Sequence, residues 1–594
     1  MHSSDPSSPV PLAAGARSTP FRLLVAFALA AVSMGTVACG SEEPSPPPAR
    51  DAGQVRPDAG GTPDGGGDSD GGTEPDGGTE PTPDAGEPPP SVFTLGAPSE
   101  YTISFNPTSA TGFGAHVSRQ PAFTGDVSLS VEDIPAHVTT RDALPLVIPG
   151  TESSASLTFI PDEFATYGRF PVKLVGVGGG ERVEHTVTLD IQHGQAALDS
   201  SFGTLGVVAP ALGHPEVSIN AMAVQQDGKW ILVGSTGTTG QRDVLVARLL
   251  ADGTPDTSFG TQGVVVSDIC DSDDYVDAVT VLSDGRILVA GGAISGTNTC
   301  SGPQRQSALF ARYTASGAPD TTFGGTGVRT FQMTTGIATL HAVAVDSSGN
   351  IVGAGTADNT DLDLLVMRLT PTGVADTTFS SDGVAWADEG GDEDGLGVVI
   401  LADGKVVVMG TSTDSSNTLA LVRFNASGTR DSSFSFFSSY LSPDIKPRTL
   451  HLLPNGKLLV GGRADFSNGN MMAALVRVTS KGDEDTTFNQ SGYRYVNAGF
   501  TGVKDSAVGT AVLPGGELVL ATRSWNGEGA SGLGVIHVSA DGASVLRSHR
   551  TDLPGEETPT TAALDAEGFL RVAGERTVSG QSGSAPFVTR FWPY

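Results

Sequence analysis

Two acidic runs are where this chain could do chemistry with a metal. Asp268, Asp271, Asp273 and Asp274 fall in one short stretch, and Asp388, Glu389, Asp392, Glu393 and Asp394 in another. Calcium takes several oxygen ligands, so Asp271, Asp273, Asp274, Asp392 and Asp394 are candidate ligands, and calcium is the one cofactor the sequence raises. Neither run has the spacing of a twelve-residue calcium loop, and solvated acidic loops are the default reading of such runs. Gly67-Asp68-Ser69-Asp70-Gly71 matches G-x-S-x-G. That motif needs its serine on a strained strand-to-helix turn beside a histidine. The surrounding Gly, Pro and Asp supply neither, and the match is set aside. There is no H-E-x-x-H, P-loop or C-x-x-C, and the ten histidines are scattered without a Ser/His/Asp order. No catalytic residue is assigned, and a non-enzymatic protein is favoured over an enzyme.

A second chemistry-bearing pattern is periodic. An arginine precedes an aspartate by eight residues in Arg248/Asp256, Arg312/Asp320, Arg368/Asp376, Arg423/Asp431 and Arg477/Asp485. A later copy has His537 and Val545 at these places, so both partners vanish together. Joint loss points to contact, a charge-assisted hydrogen bond fixing the turn between two strands. A ring of ligand-binding arginines is the alternative, but a residue repeated in every unit usually serves the unit.

The elements that position these pairs repeat seven times between Leu198 and the C-terminus. An alternating apolar strand such as Ala221 to Val224 precedes a turn of the Asp227-Gly228-Lys229 type. Later turns are Asp284-Gly285-Arg286, Asp403-Gly404-Lys405 and Asn455-Gly456-Lys457. D-G and N-G between apolar runs are hairpin signals, because glycine accepts the positive φ of a tight turn. A second strand (Trp230 to Val233, Ile287 to Ala290), a variable loop and a third strand (Val244 to Leu249) follow. A phenylalanine then closes the unit: Phe259, Phe323, Phe379, Phe434 or Phe488. A short fourth strand such as Val264-Val265-Val266 ends it. Four short antiparallel strands repeated every 50–60 residues or so are the signature of propeller blades.

The L-V-A-R-L, D-T-S-F-G and D-G-K elements, recurring in fixed order from Leu198 to Tyr594, resemble the delta-60 repeat family of β-propellers. The resemblance implies a fold and carries no generic catalytic residue to transfer. The last copy stops at its third strand, Phe587 to Phe591, and the missing piece, Leu198-Asp199-Ser200-Ser201-Phe202-Gly203 then Gly206-Val207-Val208, lies before the first copy. The N-terminal strand is therefore expected to complete the C-terminal blade, with Asp199 meeting Arg590 as Asp256 meets Arg248. The fold class expected is all-β: a seven-bladed β-propeller, residues 198–594, preceded by an immunoglobulin-like β-sandwich, residues 92–193. The sandwich is read from alternation at Tyr101/Ile103, Val127/Leu129/Val131, Leu157/Phe159 and Val187/Leu189/Ile191.

The front of the chain reads as an address. Arg17 and Arg22 precede an apolar run, Leu23 to Val32, too short for a transmembrane helix. Cys39 after Thr36-Val37-Ala38 resembles a bacterial lipobox, which implies a signal peptide over 1–38 and lipidation at Cys39. Residues 39–91 are Gly, Pro and Asp-rich and are expected to form a disordered tether, spanning on the order of 40 Å. Net charge is -32 and the pI is near 4.5, so nucleic acid is a poor partner. Two cysteines remain. Cys270 and Cys300 fall in loops emerging on the same face of one blade, and an exported location permits a disulfide between them.

The expected protein is a lipid-anchored component of the Gram-negative outer membrane. It would bind or scaffold an unknown protein or glycan through its propeller face, with the anchor as its membrane partner. A propeller hydrolase or lyase on an extracellular glycan or lactone is the alternative, and a purely structural surface protein a third. Active residues lining a central channel from several blades leave no local motif. Carboxylates converging with a histidine at the channel mouth would favour the enzyme; aromatics such as Phe466 and Trp525 on a broad face would favour binding.

Overall fold

In the computed structural model, the described residues are 91–593 apart from 105–111, 163–164, 166–167, 193–196, 215, 295–304, 334–335, 359–360, 414–417, 438–442, 499–503, 526–530, 552–555 and 578–583. Cys39, the signal peptide and the tether up to residue 90 lie outside them, as does Cys300. All regular structure in the described residues is β, with no α-helix.

Residues 93–192 form two sheets, one of four strands and one of five. Their inner faces share one core that includes Phe93, Phe113, Leu129, Leu157, Phe159, Leu174 and Leu189. The alternation read from the sequence is realised in Glu181–Gln192, where Val187, Leu189 and Ile191 point inward and the residues between them do not.

The rest of the described chain makes seven four-stranded antiparallel sheets. The first is Ser218–Val224, Trp230–Thr236, Asp243–Leu249 and Val264–Ser267, ordered as in sequence. Five more of the same order begin at Asp274, Ala338, Glu393, Asp444 and Lys504. The seventh is Glu556–Leu564, Leu570–Thr577 and Ser584–Phe591, with Val207–Val208 as its outer strand. Val207 pairs with Thr589 and Val208 with Val588, and Leu198 bridges to Phe591. The first strand of each sheet touches that of the next, and the seventh returns to the first, so these strands form a closed inner ring.

Each D-G turn works as its composition demands. Gly228 sits at φ +78° and Gly404 at +79°, a region side chains with a Cβ rarely adopt. Second strands are buried along nearly their whole length, as in Trp230–Thr236, because sheets pack on both faces. Their continuous apolar runs follow from that double burial.

The first strands hold a feature no motif announced. Each carries a β-bulge, at Asn220, Asp277, His341, Leu396, Arg448, Val508 and Thr560. The bulge brings the first-strand backbone hard against the second strand. A Cβ on Gly291 would lie 2.1 Å from Tyr275 O, and one on Gly355 2.0 Å from Thr339 O. This accounts for the glycine that recurs toward the end of the second strand, as at Gly234, Gly410 and Gly462. The sixth sheet has Thr522 at the corresponding place.

Candidate functional site

The turn end of the ring is built from the recurring arginines. Arg248 Nε donates to Asp256 Oδ2 at 2.9 Å, Arg312 to Asp320 at 2.7 Å, Arg368 to Asp376 at 2.7 Å, Arg423 to Asp431 at 2.9 Å and Arg477 to Asp485 at 2.6 Å. Arg590 Nε donates to Asp199 Oδ2 at 2.8 Å across nearly the whole array. In the five eight-residue pairs the other end of the guanidinium crosses to the next sheet, whereas from the seventh sheet Arg571 Nη1 does so, donating to Ala251 O at 3.1 Å. Arg312 Nη1 donates to Pro371 O at 2.6 Å, Arg423 to Ser480 O at 2.8 Å and Arg477 to Ala540 O at 2.7 Å. The closing phenylalanine lies under the same arginine, with Arg248 4.7 Å from the Phe259 ring centre and Arg423 4.5 Å from that of Phe434. Each of these five arginines thus holds its own turn, a ring and a neighbouring sheet.

The basic residue of the D-G-K turn joins the same aspartate, with Lys405 Nζ 2.9 Å from Asp431 and Lys457 2.8 Å from Asp485. Burial pushes Asp320 up, but Thr322, Arg286 and Arg312 outweigh it and hold the carboxyl at about 2. In the sixth sheet the charges are exchanged. Glu517 replaces the turn lysine and pairs with His537 at 3.1 Å. Sequence reasoning saw the joint loss of Arg and Asp there and missed the acid that changed with them.

The inner ring carries the polar chemistry of the opposite, loop-bearing end. Thr560 donates to Ile219 O at 2.6 Å, linking the seventh sheet to the first. Asn220 Nδ2 donates to Val276 O at 3.0 Å and to Asp277 Oδ1 at 2.9 Å. Asp277 Oδ2 is 2.9 Å from His341 Nδ1, and His341 Nε2 is 3.4 Å from Asp394 Oδ1. Asp394 also accepts from Thr356 at 2.6 Å. Asp277 is fully buried, whereas the Asp394 side chain is 45% exposed. Arg448 stands at the equivalent bulge of the fifth sheet, and burial pushes its guanidinium down to about 10. Sequence reasoning assigned none of these bulge residues. Their signal is the second-strand glycine that faces each bulge but the sixth.

The acidic candidates divide. Asp273 Oδ1 accepts from the amides of Gly240 and Arg242, at 2.7 and 3.1 Å, and so caps a hairpin of the preceding sheet. Asp392 does the same to Leu362 at 3.4 Å. Asp271 is exposed, at φ +52°. Asp394 belongs to the His341 cluster. Of the five candidate ligands, Asp274 is the one brought against a cluster of carboxylates, those of Asp243 and Asp268; from the second run, Asp388 and Glu393 meet Asp363. Cys270 is buried.

Five segments match the family model described as "Domain of unknown function (DUF5122) beta-propeller": residues 225–259, 282–323, 347–379, 401–434 and 453–488. Each ends on a closing phenylalanine. The repeats are those of a β-propeller family. The sixth and seventh propeller sheets, where the Arg–Asp–Phe set is exchanged or split between chain ends, are not among the matched segments. No curated protein matches the chain. Among solved structures, a protein of unknown function from Dyadobacter fermentans is 13% identical, covering 53% of this chain and 93% of its own, with a TM-score of 0.32. A polysaccharide lyase described as an ulvan lyase is 11% identical, covering 64% and 94%, with a TM-score of 0.38. Drosophila Semaphorin 2a is 8% identical, covering 65% and 76%, with a TM-score of 0.35. Likenesses of this strength decide nothing about activity.

Proposed function

We propose that this is a lipid-anchored cell-envelope protein that binds a protein or glycan through the loop end of a seven-bladed propeller, without catalysis. The observation that carries the reading is an aromatic set at that end of two adjacent sheets. Phe466 meets Tyr495 edge-on at 5.5 Å, and Trp525 lies 5.8 Å from the Arg523 guanidinium. Half-buried aromatics flanked by arginine are the residues that dominate binding energy at interfaces. Seven four-stranded sheets with a closed inner ring support the blade number, and two sheets around one core support an immunoglobulin-like sandwich before the propeller. In this reading Cys39 holds the lipid, in the outer membrane of a Gram-negative bacterium, and residues 39–91 form the tether. In this reading Cys270, which is buried, is held in a disulfide. Cys300, on the variable loop of the same sheet, is the partner assigned to it, and non-reducing peptide mapping reads the pair.

A second reading, a hydrolase or lyase, rests on Asp277, His341 and Asp394. Both nitrogens of His341 face carboxylates and Asp277 has no exposed surface, so the cluster serves better to bind three sheets together than to meet a substrate.

Glycan-array and protein-capture screens on residues 91–594 test both. Binding should fall at least about tenfold in Phe466→Ala and Trp525→Ala, the loss typical of a central aromatic anchor. Cleavage of an array glycan that disappears in His341→Ala would replace binding with catalysis. Neither binding nor cleavage would leave a structural surface protein. For the anchor, Cys39→Ser should move the protein to the soluble fraction; unchanged membrane fractionation would sink the lipid assignment.

A further inference from the structure

Seven first strands offer the same register position three residues before the bulge. It holds Asp274 in the second sheet, Glu393 in the fourth, Asp505 in the sixth and Glu557 in the seventh, and all four are buried. In the sixth sheet the buried acid is provided for by its neighbours. Asp505 accepts from Ala498 N at 3.0 Å, from Thr522 at 3.3 Å and from Ser524.

The second and fourth sheets solve the same position differently. Carboxylate oxygens of Asp243, Asp268 and Asp274 lie within 4.8 Å of one another, and so do those of Asp363, Asp388 and Glu393. The two trios are built alike. Asp243 and Asp363 each stand five residues before the arginine of a third strand. Asp268 and Asp388 each directly follow a fourth strand, and Asp274 and Glu393 stand in the next first strand. Asp268 and Asp388 each give one oxygen to a loop amide, of Asp271 and Gly390, both at 2.9 Å.

What distinguishes these trios from solvated acidic loops is an unpartnered buried oxygen in each. Asp274 Oδ2 accepts from Ile269 N and Cys270 N, at 2.6 and 3.0 Å, but Oδ1 is buried without a hydrogen-bond partner. Both oxygens of Glu393, a residue 1% exposed, are buried without a partner. The nearby Ser412 hydroxyl donates instead to Gly390 O at 2.8 Å. Three carboxylates drawn together around a buried oxygen that no donor reaches repel one another and must either take up protons or hold a cation.

We infer that Asp243, Asp268 and Asp274, and in parallel Asp363, Asp388 and Glu393, form two repeat-equivalent calcium sites, each fastening the third strand of one sheet to the first strand of the next. The ligands are hard oxygens, which selects calcium or magnesium over softer metals. Calcium–oxygen bonds of about 2.3–2.6 Å put opposite ligands about 4.6–5.2 Å apart, compatible with the spacing of these oxygens. Burial drives Asp274 up to about 7, and the charges of Asp268 and Asp243 add to that; burial also raises Glu393. A cation at each trio reverses that trend.

Calorimetric titration of calcium chloride into the chelator-treated full chain tests this. The expected result is two sites per chain and a melting temperature that rises with calcium. Asp274→Asn or Asp268→Asn should remove one site, Glu393→Gln or Asp388→Asn the other, and a variant from each trio together both. Asp505→Asn should keep two. The Asp268 and Asp388 changes are at exposed positions, so they read the sites even if the buried variants misfold. No saturable heat and no melting shift up to about 5 mM calcium, beyond the weakest extracellular modules, would overturn the inference. So would two sites that persist in the Asp268→Asn and Asp388→Asn double variant.

Discussion

Deleting Leu198 to Val208 is expected to cost on the order of 5 kcal/mol or to drive the protein into aggregates. The segment contributes more than two paired valines. Leu198 is fully buried, and Phe202 stacks on Trp230 with ring centres 5.6 Å apart. Each such side chain contributes about 1.5–3 kcal/mol by burial alone. Arg590 would lose the carboxylate of Asp199 while Ser584–Phe591 became an open sheet edge. Asp199→Asn isolates the ion pair and should cost about 3 kcal/mol, because it leaves the partner unpaired. Thermal melts and size-exclusion chromatography read both. A deletion variant that stays monomeric and melts within about 2 °C of the intact protein would show that the ring does not depend on this strand.

The second large effect is expected at the arginines. Arg312→Ala should lower stability by about 3–5 kcal/mol, since Asp320 is then left buried with a weakened counter-charge. Arg312 also donates to Pro371 O and lies 4.8 Å from the Phe323 ring centre, so the change loosens two sheets at once. His537→Ala in the sixth sheet should cost only about 1 kcal/mol or less, because its partner Glu517 is 45% exposed. Equal losses at the two positions would refute the contrast. The same pairs set an acid limit. Asp320 falls from an ordinary 3.8 to about 2, and Asp256, Asp376, Asp431 and Asp485 are also lowered. Depressed carboxyls stabilise the folded state above their unfolded pKa and stop doing so as pH falls through the folded value. Melting temperature should therefore drop steeply below about pH 4, with a shallower drop in the Arg312 variant.

Whatever is set by neighbours along the chain was legible. The D-G turns, the alternating strands, the closing phenylalanines and the eight-residue Arg–Asp spacing are local, and ring closure followed from matching one end to the other. The inner ring was not legible, because a bulge shifts register without a local composition change. Asn220, Asp277 and His341 look like ordinary strand residues until three sheets are set side by side. The acidic runs were legible only in part, for the same reason. Neighbours in sequence, such as Asp273 and Asp274, point to different partners, while Asp243 joins Asp274 only through the fold. The second-strand glycines such as Gly291 and Gly355 were in view throughout, but their meaning lay in the backbone opposite.

The closing strand also has a mechanical meaning. Along the chain Val207–Val208 follows the N-terminal sheets directly, and Ser200 Oγ donates back to Ala165 O at 2.9 Å. Tension applied through the N-terminal sheets reaches the ring at Leu198 and Asp199 before any other part of it. The strand has only two paired residues, so the resisting elements are the Asp199–Arg590 ion pair and the Phe202–Trp230 stack. Under load this outer strand would peel from the seventh sheet first, with the inner ring of first strands still closed.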